Sequence, residues 1–244
     1  MIHANIHHRK GFTLVELMLA MAFVSALLLA IAMTTIQAGN TYNKGMALKD
    51  INQSARAVSD DLRRTVSEAG AVSLSENDYV VTASTDPAES GRVLSGRLCL
   101  GNYSYLWNTT DGMERSDAIK GVDGSPLTLV KVPDASKAYC ARAATTNALI
   151  AGIREEDASS AVTLVKAGDH LLTVTSFSAD TEKTLFDPAT GQRLFSIEYG
   201  IGTGRPSSMN EDRTACLVPG DEGADPIYCN VQHFSTVVRT GGGA

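Results

Sequence analysis

The chain has 244 residues and a mass of 25.8 kDa, enough for one large domain or two small ones. Its 43% hydrophobic and 20% charged residues exclude a disordered polar tract and a collagen-like repeat. The formal net charge of -6 argues against a general nucleic-acid binder, which needs a basic face.

A long apolar run lies close to the N-terminus. Residues 1–10 form a polar leader that ends in two basic residues, and the run over 12–38 contains Glu16 as its only charge. Residues 17–36 have no charge, Pro or Gly, and as a helix they measure roughly 30 Å, the thickness of a bilayer's hydrocarbon core. The basic pair before the run predicts a single membrane span with the leader inside and the body outside.

Two simpler explanations of this segment are less satisfactory: a secretory signal peptide does not fit its length, and a plain signal anchor does not explain Glu16. A secretory signal peptide has an apolar core of about 7–15 residues followed by a cleavage site, whereas this run is longer and the Gly11–Phe12 junction precedes it. A plain signal anchor accounts for the length and the orientation. It does not account for Glu16, because a carboxylate in lipid costs on the order of 2.5–3.5 kcal/mol.

Residues 11–23, GFTLVELMLAMAF, resemble the N-terminal signature of class III signal sequences, those of type IV pilins and pseudopilins. The shared features are a basic leader, Gly before the cut, Phe after it and Glu five residues into the mature chain. The resemblance implies that residues 1–11 are a leader, which a prepilin peptidase removes by cutting between Gly11 and Phe12 on the cytoplasmic side. It also implies N-methylation of Phe12 and retention of the apolar helix.

In this family the glutamate is thought to pair with the amino group of a neighbouring subunit, which implies that Glu16 sets the assembly register. The two charges attract strongly in an apolar medium, where each alone is costly to bury. Removal of the leader takes away two positive charges, so the mature side chains sum to -8. Major pilins commonly carry a Pro inside the apolar helix, whereas the first Pro here is Pro87, which favours a minor pilin or a pseudopilin.

Helical periodicity continues beyond the apolar run. One apolar stripe recurs at spacings of three and four, and we predict a single helix over 12–69 whose second half, within 39–70, is amphipathic. The alternative is a separate surface helix after a linker at Gly39 and Gly45. Residues 54–70, SARAVSDDLRRTVSEAG, also look like the same region of PilW-type minor pilins and of the J-type pseudopilin of type II secretion. The stripe consists of Ile51, Ala55, Val58, Leu62 and Val66.

Residues 71–240 contain short runs rich in β-branched and aromatic residues, separated by turn-forming residues. These runs predict an α+β fold in which a long N-terminal helix, its first half in the membrane, packs on a C-terminal antiparallel β-sheet head. The pilin resemblance implies the same arrangement. Residues 241–244 are predicted to be disordered. The predicted strands lie in the runs 78–83, 92–100, 126–132, 170–177, 193–200 and 227–240.

Four cysteines lie on the predicted outer side of the membrane, and an even count there favours disulfides. Of the three possible pairings we favour Cys216–Cys229, a short loop, together with Cys99–Cys140. The first resembles the C-terminal disulfide loop of many pilins. Two alternatives are free buried thiols and a zinc site at Cys216, Cys229 and His233, which lacks a fourth ligand.

The mature sequence has no recognisable active site. His170 and His233 belong to no catalytic or metal-binding pattern, and the motifs of nucleophile elbows, zinc proteases and P-loops are absent. The glycine-rich residues 200–204 follow a strand but open no helix, so we predict a turn there rather than a phosphate loop. We therefore expect no enzyme activity, no catalytic residue, no metal and no cofactor.

Two further patterns have ordinary explanations. The acidic residues 221–225 lack a full EF-hand pattern and are predicted to form a solvated loop. The glycosylation matches at Asn102 and Asn108 are short enough to occur by chance.

The sequence thus predicts a non-enzymatic subunit of a type IV pilus-like filament, a minor pilin that primes, caps or decorates the filament. Its expected partners are other major and minor pilins through the N-terminal helix, the prepilin peptidase and methyltransferase, the inner-membrane assembly platform, and membrane lipid before assembly; no nucleic acid is expected. The expected location is the bacterial inner membrane, with a cytoplasmic N-terminus and a periplasmic head, and then the pilus or pseudopilus. The alternatives are a J-type minor pseudopilin of type II secretion and a membrane-anchored enzyme or receptor that carries a pilin-type signal. Close helix approach in the filament would use the small residues Ala20, Ala22, Ser25, Ala26 and Ala30.

Overall fold

The computed structural model describes residues 11–69, 80–85, 93–145, 149–168, 170–189, 192–203 and 205–240. The chain divides into two compact units, Met1–Asn43 and Lys44–Ala244. Most of the predicted leader and the predicted disordered tail at 241–244 lie outside the described residues.

The long helix α1 spans Leu14–Glu68, which confirms the predicted single helix within two residues at its start and one at its end. Gly39 and Gly45 do not interrupt it, so the alternative of a separate surface helix after a linker is wrong. Each glycine in a helix costs about 1 kcal/mol relative to alanine. The helix continues in spite of that cost, because most helical stability in proteins comes from the packing of an apolar face, here the buried stripe of the second half.

In the first unit, the apolar part of α1 is exposed along its whole length, and none of its hydrophobic window is buried inside the chain. By length and composition it is able to cross a membrane. Its hydroxyl groups are satisfied within the helix, because Ser25 Oγ donates to the Met21 carbonyl at 2.8 Å and Thr35 Oγ1 to the Ile31 carbonyl at 2.9 Å. The segment is therefore compatible with a single-pass membrane anchor.

The second unit contains two antiparallel sheets and the short helix α2 at Glu155–Ala158. The first sheet has the order β1-β2-β3-β4-β5, and the second has the order β6-β7-β8. The strands are β1 Val80–Thr85, β2 Val93–Leu100, β3 Tyr103–Asn108, β4 Leu129–Pro133, β5 Val162–Val165, β6 Thr173–Phe186, β7 Arg193–Thr203 and β8 Asn230–Arg239.

The amphipathic part of α1 packs against both sheets and confirms the predicted α+β fold. All five residues of the predicted stripe are buried in one hydrophobic cluster with side chains from both sheets. A row of aromatic rings crosses the cluster, with ring centroids 4.5 Å apart for Trp107 and Phe177, 6.1 Å for Phe177 and Tyr199, and 5.6 Å for Tyr199 and Phe234. A second, smaller cluster lies on the other face of the first sheet: Leu106, Ile119, Leu127, Val130, Val132 and Tyr139.

Six of the eight strands were predicted from the sequence and two were not. Each of the six predicted runs overlaps a strand, but β3 and β5 were missed. The predicted turn at 200–204 is wrong over its described part, because β7 continues to Thr203 in regular register with β8. Gly200 is needed there since a Cβ atom at this position would overlap the Thr175 hydroxyl of β6.

Candidate functional site

The start of α1 forms a reciprocal hydrogen-bonded cap around Glu16. The Thr13 backbone N–H and hydroxyl both donate to Glu16 Oε2 at 2.9 Å, and the Glu16 N–H donates to Thr13 Oγ1 at 3.3 Å. Thr13 is the N-cap residue and Glu16 lies three positions later, so the pair is a capping box. The carboxylate also lies where the positive end of the helix dipole favours a negative charge.

This cap has a consequence for the cleavage site predicted between Gly11 and Phe12. Glu16 Oε2 accepts both bonds from Thr13, while Oε1 accepts none of the hydrogen bonds formed by the described residues. If the chain is cut before Phe12, the new amino group lies four residues before Glu16 in the sequence, and Oε1 is the carboxylate oxygen that the cap leaves available.

The residues on either side of the predicted cut are open. Phe12 is 85% exposed, and a Cβ atom added at Gly11 would meet nothing within 4 Å. Packing within the chain therefore does not require glycine at this position. Gly11, Phe12 and Glu16 were predicted from the sequence as site residues and Thr13 was not, although Thr followed three residues later by Glu is the pattern of a capping box.

Two disulfides fasten loops of the second unit, and they are the pairs that the sequence analysis favoured: Cys99–Cys140 and Cys216–Cys229. No cysteine is free. His233 is not directed to a metal, because its Nε2 lies 2.8 Å from the Thr214 carbonyl.

The segment just before the Cys216–Cys229 loop is held against the body by an ion pair. Arg213 Nε lies 3.0 Å from both carboxylate oxygens of Asp111, which follows β3 in the first sheet. Asn210 Oδ1 accepts bonds from the Thr214 and Ala215 N–H groups at 2.9 and 3.1 Å and fixes the turn. The ion pair and the turn therefore fix the chain where the disulfide loop begins, and most of the loop itself is exposed.

A buried polar network joins α1 to the first sheet. Lys131 Nζ on β4 donates to Asp61 Oδ1 at 3.1 Å and to Thr65 Oγ1 at 2.7 Å, and Tyr105 Oη on β3 donates to Asp61 Oδ2 at 2.7 Å. The exposed Arg64 adds a bond to Asp61 Oδ1 at 3.0 Å. These contacts connect one turn of the helix to two adjacent strands.

The electrostatics of this network follow from burial and pairing. Burial alone would raise the pKa of Asp61, but the hydrogen bonds from Tyr105 and Lys131 and the charge of Lys131 outweigh it, so the pKa is lowered. Burial is also the main reason that the pKa of Tyr105 is raised. Asp61 is therefore an ionised carboxylate and Tyr105 a neutral donor. Together with Lys131 they hold α1 in a fixed position on the first sheet.

A second buried cation lies on the opposite face of the first sheet. Arg97 on β2 is 2% exposed, and its Nη1 donates to the Tyr139 carbonyl at 2.6 Å while Nη2 donates to the Ile150 carbonyl. Burial, with a smaller effect from the charge of Arg142, lowers its pKa to about 10. Arg97 thereby holds the long segment after β4 against the sheet.

The remaining predicted positions form no catalytic cluster in the part of the chain that the structure describes. His170 Nδ1 lies 2.7 Å from Asp50 Oδ2, and no group of three metal-binding side chains was found among the described residues. Asn108 is fully buried and its amide donates to the carbonyls of Ile119 and Leu127, so it cannot be a glycosylation acceptor.

Comparison with known protein families, with curated proteins and with solved structures finds no match for this chain.

Proposed function

We propose that this chain is a non-enzymatic structural subunit of a type IV pilus-like filament, most specifically a minor pilin that primes, caps or decorates the filament. The single observation that carries the proposal is the exposed apolar helix, whose first turn is capped by Thr13 and Glu16. An exposed apolar surface of this size needs lipid or other helices to cover it. In this proposal lipid covers the helix first, in the bacterial inner membrane, and the helices of other subunits cover it afterwards, in the filament core.

In this proposal the prepilin peptidase removes residues 1–11 and the new amino group of Phe12 is methylated. Glu16 of one subunit then pairs with the amino group of another subunit, while Thr13 keeps the carboxylate at the helix start. The periplasmic head carries the Cys216–Cys229 disulfide loop on its surface. The partners are other pilins and the inner-membrane assembly platform.

The type II secretion pseudopilin stays a second candidate for two reasons. The apolar helix lacks a proline, and residues 54–70 look like the same region of the J-type pseudopilin. Neighbouring genes for a pilus or for a secretion machinery separate the two. A membrane-anchored enzyme or receptor has no comparable observation in its favour.

The proposal is tested by two substitutions at Glu16 in the full chain, expressed in piliated cells. Glu16→Gln keeps a capping box, which accepts Glu or Gln, but removes the charge, whereas Glu16→Leu removes both. We expect both variants to insert into the membrane and to be absent from sheared filaments. Glu68→Gln, the same substitution at the other end of α1, is the matched control and should enter filaments normally. Wild-type incorporation of Glu16→Gln would leave capping as the only role of Glu16 and refute the charge pairing.

A further inference from the structure

The strand β8 presents a long open edge. It lies at the end of the second sheet, and its ten residues pair with β7 in unbroken register. No strand pairs with its other side in the described part of the chain. Natural edge strands are usually protected by proline, bulges or charges, and β8 has none of these before Arg239. Its outward N–H and C=O groups are therefore suited to accept another strand.

On the face of β8 that packs against α1, the side chain of Phe234 offers a contact for an added strand. The row of aromatic rings that starts at Trp107 ends at Phe234, which is only partly buried. The last three rings of the row come from the adjacent strands β6, β7 and β8, so a strand added beyond β8 would place its own side chain beside Phe234. Rings at this spacing attract one another beyond the effect of area alone.

The opposite face of β8 supplies two more determinants. Val237 is 59% exposed, and Arg239 is the only charged residue of the strand. An apolar side chain placed across from Val237 would cover it. A carboxylate placed across from Arg239 would form an attractive cross-strand pair.

We propose that the β8 edge binds an extended segment of another protein by antiparallel strand addition. The segment carries an acidic residue opposite Arg239, an apolar residue opposite Val237 and an aromatic residue opposite Phe234. Since antiparallel partners run in opposite directions, its pattern is acidic-x-apolar-x-x-aromatic. Antiparallel pairing is expected because it is slightly more stable per residue than parallel pairing. This inference stands independently of the proposed function.

The direct test uses the full chain in detergent micelles and the fluorescein-labelled peptide acetyl-Thr-Glu-Thr-Val-Thr-Thr-Phe-Thr-Thr-amide. Fluorescence anisotropy should show saturable binding. Replacing the peptide's Phe by Ala should weaken binding about tenfold. Amide hydrogen exchange should show new protection over residues 231–237 and not over β5. Absence of binding, or protection elsewhere, would overturn the proposal.

Three variants of the protein complete the test without changing buried residues. Val237→Lys places a charge on the open edge and should weaken binding roughly tenfold. Val162→Lys, at a comparably exposed valine on the edge strand β5, should change binding less than twofold. Arg239→Glu should weaken binding about threefold, and a peptide with Lys in place of Glu should bind this variant better than it binds wild type. If Val162→Lys weakens binding as much as Val237→Lys does, the site is not β8.

Discussion

Substitution of Lys131 by methionine tests whether the buried network fixes α1 on the first sheet. The side chains of Lys131 and Asp61 are each only 10% exposed, so the variant leaves a buried carboxylate without its main cationic partner. Loss of one partner of a buried pair costs about 3–5 kcal/mol, and we expect the lower end, about 3 kcal/mol, because Arg64 still binds Asp61. Asp61→Asn combined with Lys131→Met should be about 1–3 kcal/mol more stable than the sum of the single losses predicts.

The assay is urea unfolding of the full chain in nonionic micelles. Trp107 is the only tryptophan, and it is fully buried at the contact between the two sheets, so its fluorescence reports unfolding of the second unit. A loss of about 3 kcal/mol should lower the urea midpoint by about 1–2 M. Lys49→Met, at an exposed position of α1, is the control and should stay within about 0.5 kcal/mol of wild type. Equal midpoints for Lys49→Met and Lys131→Met would refute the reasoning.

Two further predictions use the same unfolding assay. Because the pKa of Asp61 is lowered by folding from its ordinary value of 3.8, its contribution is fully present above about pH 4 and is lost as the pH falls through the folded pKa. Asp61→Asn should therefore flatten the acid branch of the stability profile, and an unchanged branch would contradict this. Arg97→Met leaves the buried carbonyl of Tyr139 and the partly buried carbonyl of Ile150 without this donor, and we expect a loss of about 2–6 kcal/mol, about 1–3 kcal/mol for each unsatisfied group. A midpoint equal to that of wild type would show that Arg97 does not hold this segment.

The parts of the fold that follow from local pattern could be predicted from the sequence. The apolar stripe of α1 follows directly from helical periodicity, and all five of its residues are buried. The strand β3 was missed because it is buried on both faces and lacks a polar alternation. A signal was present, since Gly101 and Asn102 form the two-residue connection that is typical of a hairpin. Gly101 has a φ of +55°, and a Cβ atom there would lie 2.7 Å from Ala69 Cβ.

The parts that depend on tertiary placement could not be predicted in this way. Asp61 lies next to the apolar residue Leu62, and Lys131 lies within an apolar strand. In the sequence, each looks only like a polar residue that interrupts an apolar pattern. Their pairing depends on how α1 is placed along β3 and β4. The same holds for Arg97, whose partners are backbone carbonyls 42 and 53 residues away.

The strand β5 was missed for a related reason. It has only four residues, and it pairs with β4 through an irregular register. A run this short has no clear periodicity by itself. Its strand conformation follows from its pairing with β4, which comes from a distant part of the sequence.

The most direct test of the filament-subunit account is mass spectrometry of the N-terminus of the full chain, produced with and without a prepilin peptidase. With the enzyme, the account predicts a chain that begins at methylated Phe12 and keeps the apolar helix. Without the enzyme, the leader should remain attached. A chain that keeps Met1 in the presence of the enzyme, or that has lost residues 12–38, would contradict the account.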